Sequence, residues 1–329
     1  MKIITWAAVL CFTGSAALLR SQTLPDFDQF PHVILSNGKV EMKVFLPDKE
    51  QGLYRATRFD WSGVIGSVHY KGHEYFGYWK DTHDPNFHED LMGPVEGYIE
   101  PGPGYEEAPP GGRFIRIGVG VLKKENEAEY DWMKTYKILD HGTWEIEQGE
   151  DWIRFTHILE SDIGYSYRYT KTVRLKEDGF VLDHALENTG TKPLETDQFN
   201  HNFFMIDGEP SGPAFRISFP FRPETDDDPK GYAKLTGNDL VFTREVKDDA
   251  FFLLLEGYNQ NPEDHQVTVL NQKTGAGVTF RVDKPLYRMA FWACETTLSP
   301  ENSIWLSVDP GEKESWTSDY TLFTQGESN

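Results

Sequence analysis

The chain has 329 residues, of which 38% are hydrophobic and 14% aromatic, and its formal net charge is -21. That composition excludes a disordered chain and is enough for one large folded core. The acidic balance works against nucleic acid, anionic lipid and polyanionic substrates, and suits a neutral small molecule.

The N-terminus predicts a secretory signal peptide over residues 1–22. Lys2 gives a short basic start, Ile3 to Leu19 is mostly apolar, and Arg20, Ser21 and Gln22 follow. The mature chain, 23–329, then reads as one secreted or periplasmic domain. No later stretch is long and apolar enough for a membrane-spanning helix. Cys11 falls inside the leader, so Cys294 remains without a disulfide partner and is expected to be a buried free thiol.

Alternation of period two then runs through the chain, in Val40 to Phe45, Phe114 to Leu122, Trp152 to Ile158, Tyr165 to Leu175, Phe180 to Leu186, Phe251 to Glu256, Gln266 to Leu270, Gly277 to Val282 and Ser303 to Val308. Val, Ile, Tyr, Phe and Thr dominate these runs. The pairs Asn37-Gly38, Asp178-Gly179, Thr189-Gly190 and Thr274-Gly275 supply turns. No helical period extends over three turns. The pattern predicts an all-β fold in which many antiparallel strands pack as two large sheets. Two stretches read as loops. Asp81 to Gly112 is polar and rich in Pro and Gly, and Pro223 to Gly231 is acidic.

Several residues carry candidate chemistry. His201 stands between two asparagines in F-N-H-N-F-F, and Glu295 follows the apolar F-W-A-C. A histidine and a carboxylate held by strands can serve as acid and base, and the apolar setting predicts a desolvated carboxylate. Asn200 and Asn202 should face away from His201 on a regular strand. In the first loop, His83, Asp84, His88, Glu89 and Asp90 lack a recognised metal-ligand spacing, and His88 is the best ligand contact among them. Glu96 is a further polar candidate. Arg113 and Arg116 should face opposite ways, with Arg113 toward a ligand. Arg288 can orient a hydroxyl or carboxylate, and Trp79, Trp292 and Trp316 are stacking candidates. His69 and His73 read as structural. No glycine loop for a nucleotide is visible, and the chemistry of these residues calls for no metal or redox cofactor.

Three segments resemble the galactose mutarotase (aldose 1-epimerase) superfamily. The first runs from Tyr169 to Asp207 and includes T-K-T-V-R-L-K-E-D-G-F-V-L-D-H-A-L-E-N-T-G and F-N-H-N-F-F. The second is R-M-A-F-W-A-C-E-T-T-L-S-P-E, and the third is P-G-E-K-E-S-W-T-S-D-Y-T-L, Pro310 to Leu322. Together they span roughly the C-terminal half. The resemblance implies a large antiparallel β-supersandwich and a sugar substrate, with His201 as catalytic acid and Glu295 as catalytic base. Arg58, in Y-R-A-T-R-F-D-W-S-G, stands where the family often places a substrate arginine, with Arg55 as the alternative. Classical members carry a histidine before an early G-G turn. Here the one G-G pair, Gly111-Gly112, follows prolines, a departure that bears on the substrate. Anomeric epimerisation is thus the leading expectation. A lyase or isomerase acting on a modified sugar is the second, and a non-catalytic carbohydrate-binding protein the third.

Overall fold

A computed structural model describes residues 24–325. The expected signal peptide and Cys11 lie outside the described residues. Within them the chain is strand after strand, interrupted by three one-turn 3-10 segments. Four antiparallel sheets form, of ten, five, four and three strands.

The ten-stranded sheet shows why the sequence alternates. In Tyr167–Lys176, Tyr167, Tyr169, Lys171, Val173 and Leu175 point inward, while the residues between them face outward or lie at partial depth. In the five-stranded sheet, Leu253, Phe291, Leu298 and Ala293 point inward. They join Phe155, Val173, Phe180 and Tyr320 of the ten-stranded sheet in one buried cluster. A second cluster joins Tyr169, Leu186 and Trp316 to Leu194, Ile304 and Leu306. The two large sheets therefore pack face to face, the expected β-sandwich. Each fully buried Phe or Leu contributes roughly 1.5–3 kcal/mol. Trp316 is spent on this core and offers no ligand face.

Two boundaries depart from the sequence reading. Phe114 to Leu122 is two strands, Arg113–Arg116 and Gly120–Lys123, because Gly118 sits at φ +75° in a tight turn between them. The stretch Asp81 to Gly112 is also more than a loop. It contributes Val95–Tyr98, which pairs with Leu194–His201 at the edge of the five-stranded sheet. All four of its residues are buried. It is short, flanked by Gly and Pro, and buried on both faces, so it carries no alternation to read.

Across the five-stranded sheet the order is Phe251–Leu255, Arg288–Ala293, Leu298–Val308, Leu194–His201 and Val95–Tyr98. The face away from the sandwich core is covered near the end of Leu194–His201 by a separate cluster. This cluster includes Phe59, Trp79, Met92 and Phe203, with Phe199 and Trp292 packed against it. The candidate site forms under that cover.

Candidate active site

Register creates the central pair. Leu194 pairs with Val308, and Phe199 with Ser303. Continued by two residues, that register sets His201 opposite Glu301. His201 Nε2 lies 3.2 Å from Glu301 Oε1, and both side chains are nearly buried. Alternation places the pair outside the sandwich core, since the neighbouring Ile304 and Leu306 point into it. Asn200 faces inward as expected, donating to Glu96 Oε1 at 3.2 Å.

Aromatic rings enclose the imidazole. Phe203 stacks on it with a centroid distance of 3.7 Å and an interplanar angle of 8°. The backbone of Phe203 is left-handed, at φ 44°, which is costly for an aromatic residue and brings its ring back over His201. Phe59 and Trp292 meet His201 edge-on at 5.7 and 5.3 Å. Trp79 stacks on the far side of Phe203 at 5.2 Å. The backbone is equally close, because a Cβ on Gly93 would lie 2.6 Å from the carbonyl oxygens of both His201 and Asn202. Only glycine fits there.

This apolar enclosure shifts both members of the pair toward neutrality. Burial pushes the His201 imidazole well below its ordinary value, and the positive charge of Arg58 pushes the same way. Burial raises Glu301 to about 7, against the pull of Arg58 and Arg288. Near neutral pH the pair therefore carries one exchangeable proton between its two groups. Paired titratable groups with displaced affinities are the arrangement expected of acid–base chemistry.

Arg58 is positioned with care. Its guanidinium carbon sits 4.8 Å from the centroid of Phe59 and 4.2 Å from that of Trp132, and its nearest carboxylate, Glu89, is 3.8 Å away. Buried Arg116 donates to the Arg58 carbonyl at 2.5 Å and to the Ile99 carbonyl at 2.5 Å, so it holds this stretch of backbone. His88 is buried nearby, with Nε2 3.4 Å from Glu89 and its ring edge-on to Trp132 at 5.2 Å. Burial would raise Glu89, but His88 and Lys80 outweigh it and hold the carboxylate at about 2. Lys80 also reaches Asp90 at 2.7 Å. Glu89 and Asp90 are thus partnered by cations. Arg288 borders the pair from the next strand and forms an ion pair of 3.0 Å with Asp197.

The structure brings His201, Arg58, His88, Trp292 and Arg288 to one region. It places three other expected residues elsewhere. Glu295 is exposed on the turn between Arg288–Ala293 and Leu298–Val308, so the expected desolvation is absent. It lines a surface groove with Lys80, Asp81 and Asp248. The carboxylate that meets His201 is Glu301. Glu96 is fully buried inside the sandwich, 2.5 Å from Lys171 Nζ and 2.9 Å from His184 Nε2, out of reach of any ligand. Its burial would raise its proton affinity, but the Lys171 charge and the His184 hydrogen bond lower it overall. Arg113 points to solvent and pairs with Asp162 at 2.8 Å, because the outward register belongs to Arg113 and the inward one to Arg116. His69 and His73 meet Glu74 and Asp207, at 2.8 and 3.0 Å. Cys294 is half-buried, and burial raises its thiol, which disfavours the thiolate.

No family model matches the chain, and no curated protein matches it by sequence. Solved structures do match it in shape. A Synechocystis sp. PCC 6803 protein superposes with a TM-score of 0.57 at 10% identity, covering 91% of this chain and 97% of that one. A galactose mutarotase-like protein from Lactobacillus casei gives 0.53 at 11%, over 89% and 100%. An aldose epimerase homologue from C. elegans gives 0.53 at 9%, over 89% and 98%. At these identities the likeness establishes the fold, that of the galactose mutarotase-like β-sandwich.

Proposed function

We propose that the protein is a carbohydrate-active isomerase that interconverts sugar anomers, with His201 and Glu301 as its acid and base. The observation that carries this reading is the buried 3.2 Å contact between His201 and Glu301, on adjacent strands of a fold shared with mutarotase-like proteins. The roles follow from the chemistry. Opening a pyranose removes the proton of the anomeric hydroxyl and delivers one to the ring oxygen. The C1–O5 bond breaks as the C1–O1 double bond forms, giving an open-chain aldehyde. Rotation about C1–C2 and closure from the other face reverse both transfers.

The pair's one proton rests on Glu301; in the reacting tautomer it has passed to His201, so ionised Glu301 takes the anomeric proton while His201 protonates the ring oxygen, and the pair exchanges one proton with the sugar at constant net charge. Arg58 and Arg288 favour the ionised form of Glu301. Trp292, beside His201, offers a ring face to the apolar side of a pyranose.

The pair is competent only while it holds one proton. Below the depressed imidazole value it holds two, and above about 7 it holds none. Mutarotation of freshly dissolved α-glucose and α-galactose, followed by polarimetry across pH, should give a bell whose alkaline limb falls near 7 and whose acid limb lies well below 6.5. A rate rising steadily beyond pH 8 would contradict the pairing. No acceleration of any common aldose by folded protein would shift the reading to a lyase or isomerase acting on a uronate-like sugar, with Arg58 or Arg288 facing its carboxylate.

A further inference from the structure

Apolar side chains stay exposed on the same sheet face as His201 and Glu301. Phe252 and Leu254 are 47% and 45% exposed, and Tyr287 and Trp305 are 45% and 42% exposed. Phe252 pairs with Trp292, and Leu254 with Ala290, which pairs in turn with Glu301, so both lie on the edge strand two strands from Glu301. Along Leu298–Val308, Glu301, Ser303 and Trp305 share the outward face, with Trp305 opposite Asp197. At about 3.3 Å per residue, Trp305 lies about 13 Å along the strand from Glu301, farther than one pyranose ring reaches. The Tyr287 and Trp305 rings sit 5.2 Å apart at 46°, forming a shallow aromatic corner open to solvent. The Arg288–Asp197 ion pair borders this corner, with Asp197 opposite Trp305 and 7% exposed, and Arg288 opposite Ser303, one step nearer the pair.

We propose that the site takes a neutral oligosaccharide, with its reducing-end unit at His201 and Glu301 and a more distant unit stacked on Trp305 and Tyr287. This rests on the sugar reading above and names its substrate class. A monosaccharide uses the enclosed end alone and leaves the corner bare. Aromatic faces stack on the apolar faces of sugar rings, and the paired, solvent-open rings of Tyr287 and Trp305 offer such faces. Arg288 and Asp197 supply a donor and an acceptor for hydroxyls between the two ends. The net charge of -21 disfavours an anionic glycan.

The test compares glucose and galactose with maltotriose, cellotriose and β-1,4-galactotriose by calorimetry, using wild type, Trp305→Ala and Tyr287→Ala/Trp305→Ala. At least one trisaccharide should bind ten-fold or more tightly than its monosaccharide. Trp305→Ala should erase that gain while leaving monosaccharide mutarotation unchanged. If monosaccharides are turned over but no trisaccharide binds more tightly, the extended site falls and the epimerase reading stands. A gain that survives Trp305→Ala overturns it as well. Sedimentation of both proteins covers the remaining occupant. A wild-type dimer that Trp305→Ala splits, with no effect on sugars, would make the corner a self-association surface and end the proposal. Absence of any sugar binding or turnover by the wild type sinks the sugar reading and this one with it.

Discussion

Replacing Glu301 with glutamine should abolish activity and stabilise the protein above neutral pH. Burial raises the Glu301 carboxyl from 4.5 to about 7. The folded state therefore binds this proton more tightly than the unfolded chain does. The fold is not penalised below pH 4.5, loses stability as pH rises from 4.5 to about 7, and carries the full penalty above that. Each pH unit of such a displacement is worth about 1.4 kcal/mol, so ionised Glu301 costs about 3 kcal/mol at pH 8. Glutamine keeps the shape of the neutral carboxyl and never ionises. Urea unfolding of wild type and Glu301→Gln should differ little at pH 4.5 and by about 3 kcal/mol in favour of the variant at pH 8. Equal stability at both pH values would show that Glu301 is neither desolvated nor shifted, and the one-proton description of the pair would fail with it.

The other predictions concern how the pair is held. Lys171→Met removes a fully buried cation 2.5 Å from Glu96 and leaves that carboxylate short of a partner, so thermal or urea unfolding should show a loss of about 3–5 kcal/mol. Glu96→Gln should also destabilise the protein, and sugar affinity per folded molecule should be unchanged. A selective loss of affinity would return Glu96 to the site. Gly93→Ala forces a Cβ to within 2.6 Å of the His201 and Asn202 carbonyls, and should lower kcat at least ten-fold in protein that still folds. Full activity would mean that this crossing does not position His201.

Much of this architecture is legible in the sequence because period-two burial writes it there. Val40–Phe45 and Trp152–Leu159 follow the expected alternation, and Asn37-Gly38 and Asp178-Gly179 turn between adjacent strands. His201 could be singled out because F-N-H-N-F-F resembles the run that carries the catalytic histidine in the mutarotase-like superfamily. Glu301 could not, for a local reason. Pro300 and Asn302 beside it are poor strand formers, and the sequence shows alternation only over Ser303 to Val308, whereas the strand runs over Leu298–Val308. Proline is tolerated there although it cannot donate to the ladder. The missed signal was the outward series Glu301, Ser303, Trp305 and Ser307 set against inward Ile304 and Leu306. Glu295 stood out instead because F-W-A-C is apolar, yet that strand ends at Ala293 and the turn carries Glu295 to solvent. Glu96 was expected to face a ligand, and its burial with Lys171 could not be read. Burial of a matched ion pair in a core places charge where composition predicts none.

The most direct test of the account is polarimetric mutarotation of α-galactose and α-glucose by four purified proteins: wild type, His201→Ala, Glu301→Gln and Glu295→Gln. The account predicts that wild type accelerates mutarotation, that His201→Ala and Glu301→Gln each lose at least a hundred-fold in rate, and that Glu295→Gln stays within about two-fold of wild type. Loss in Glu295→Gln with retention in Glu301→Gln would contradict the pairing of His201 with Glu301 as the reacting groups.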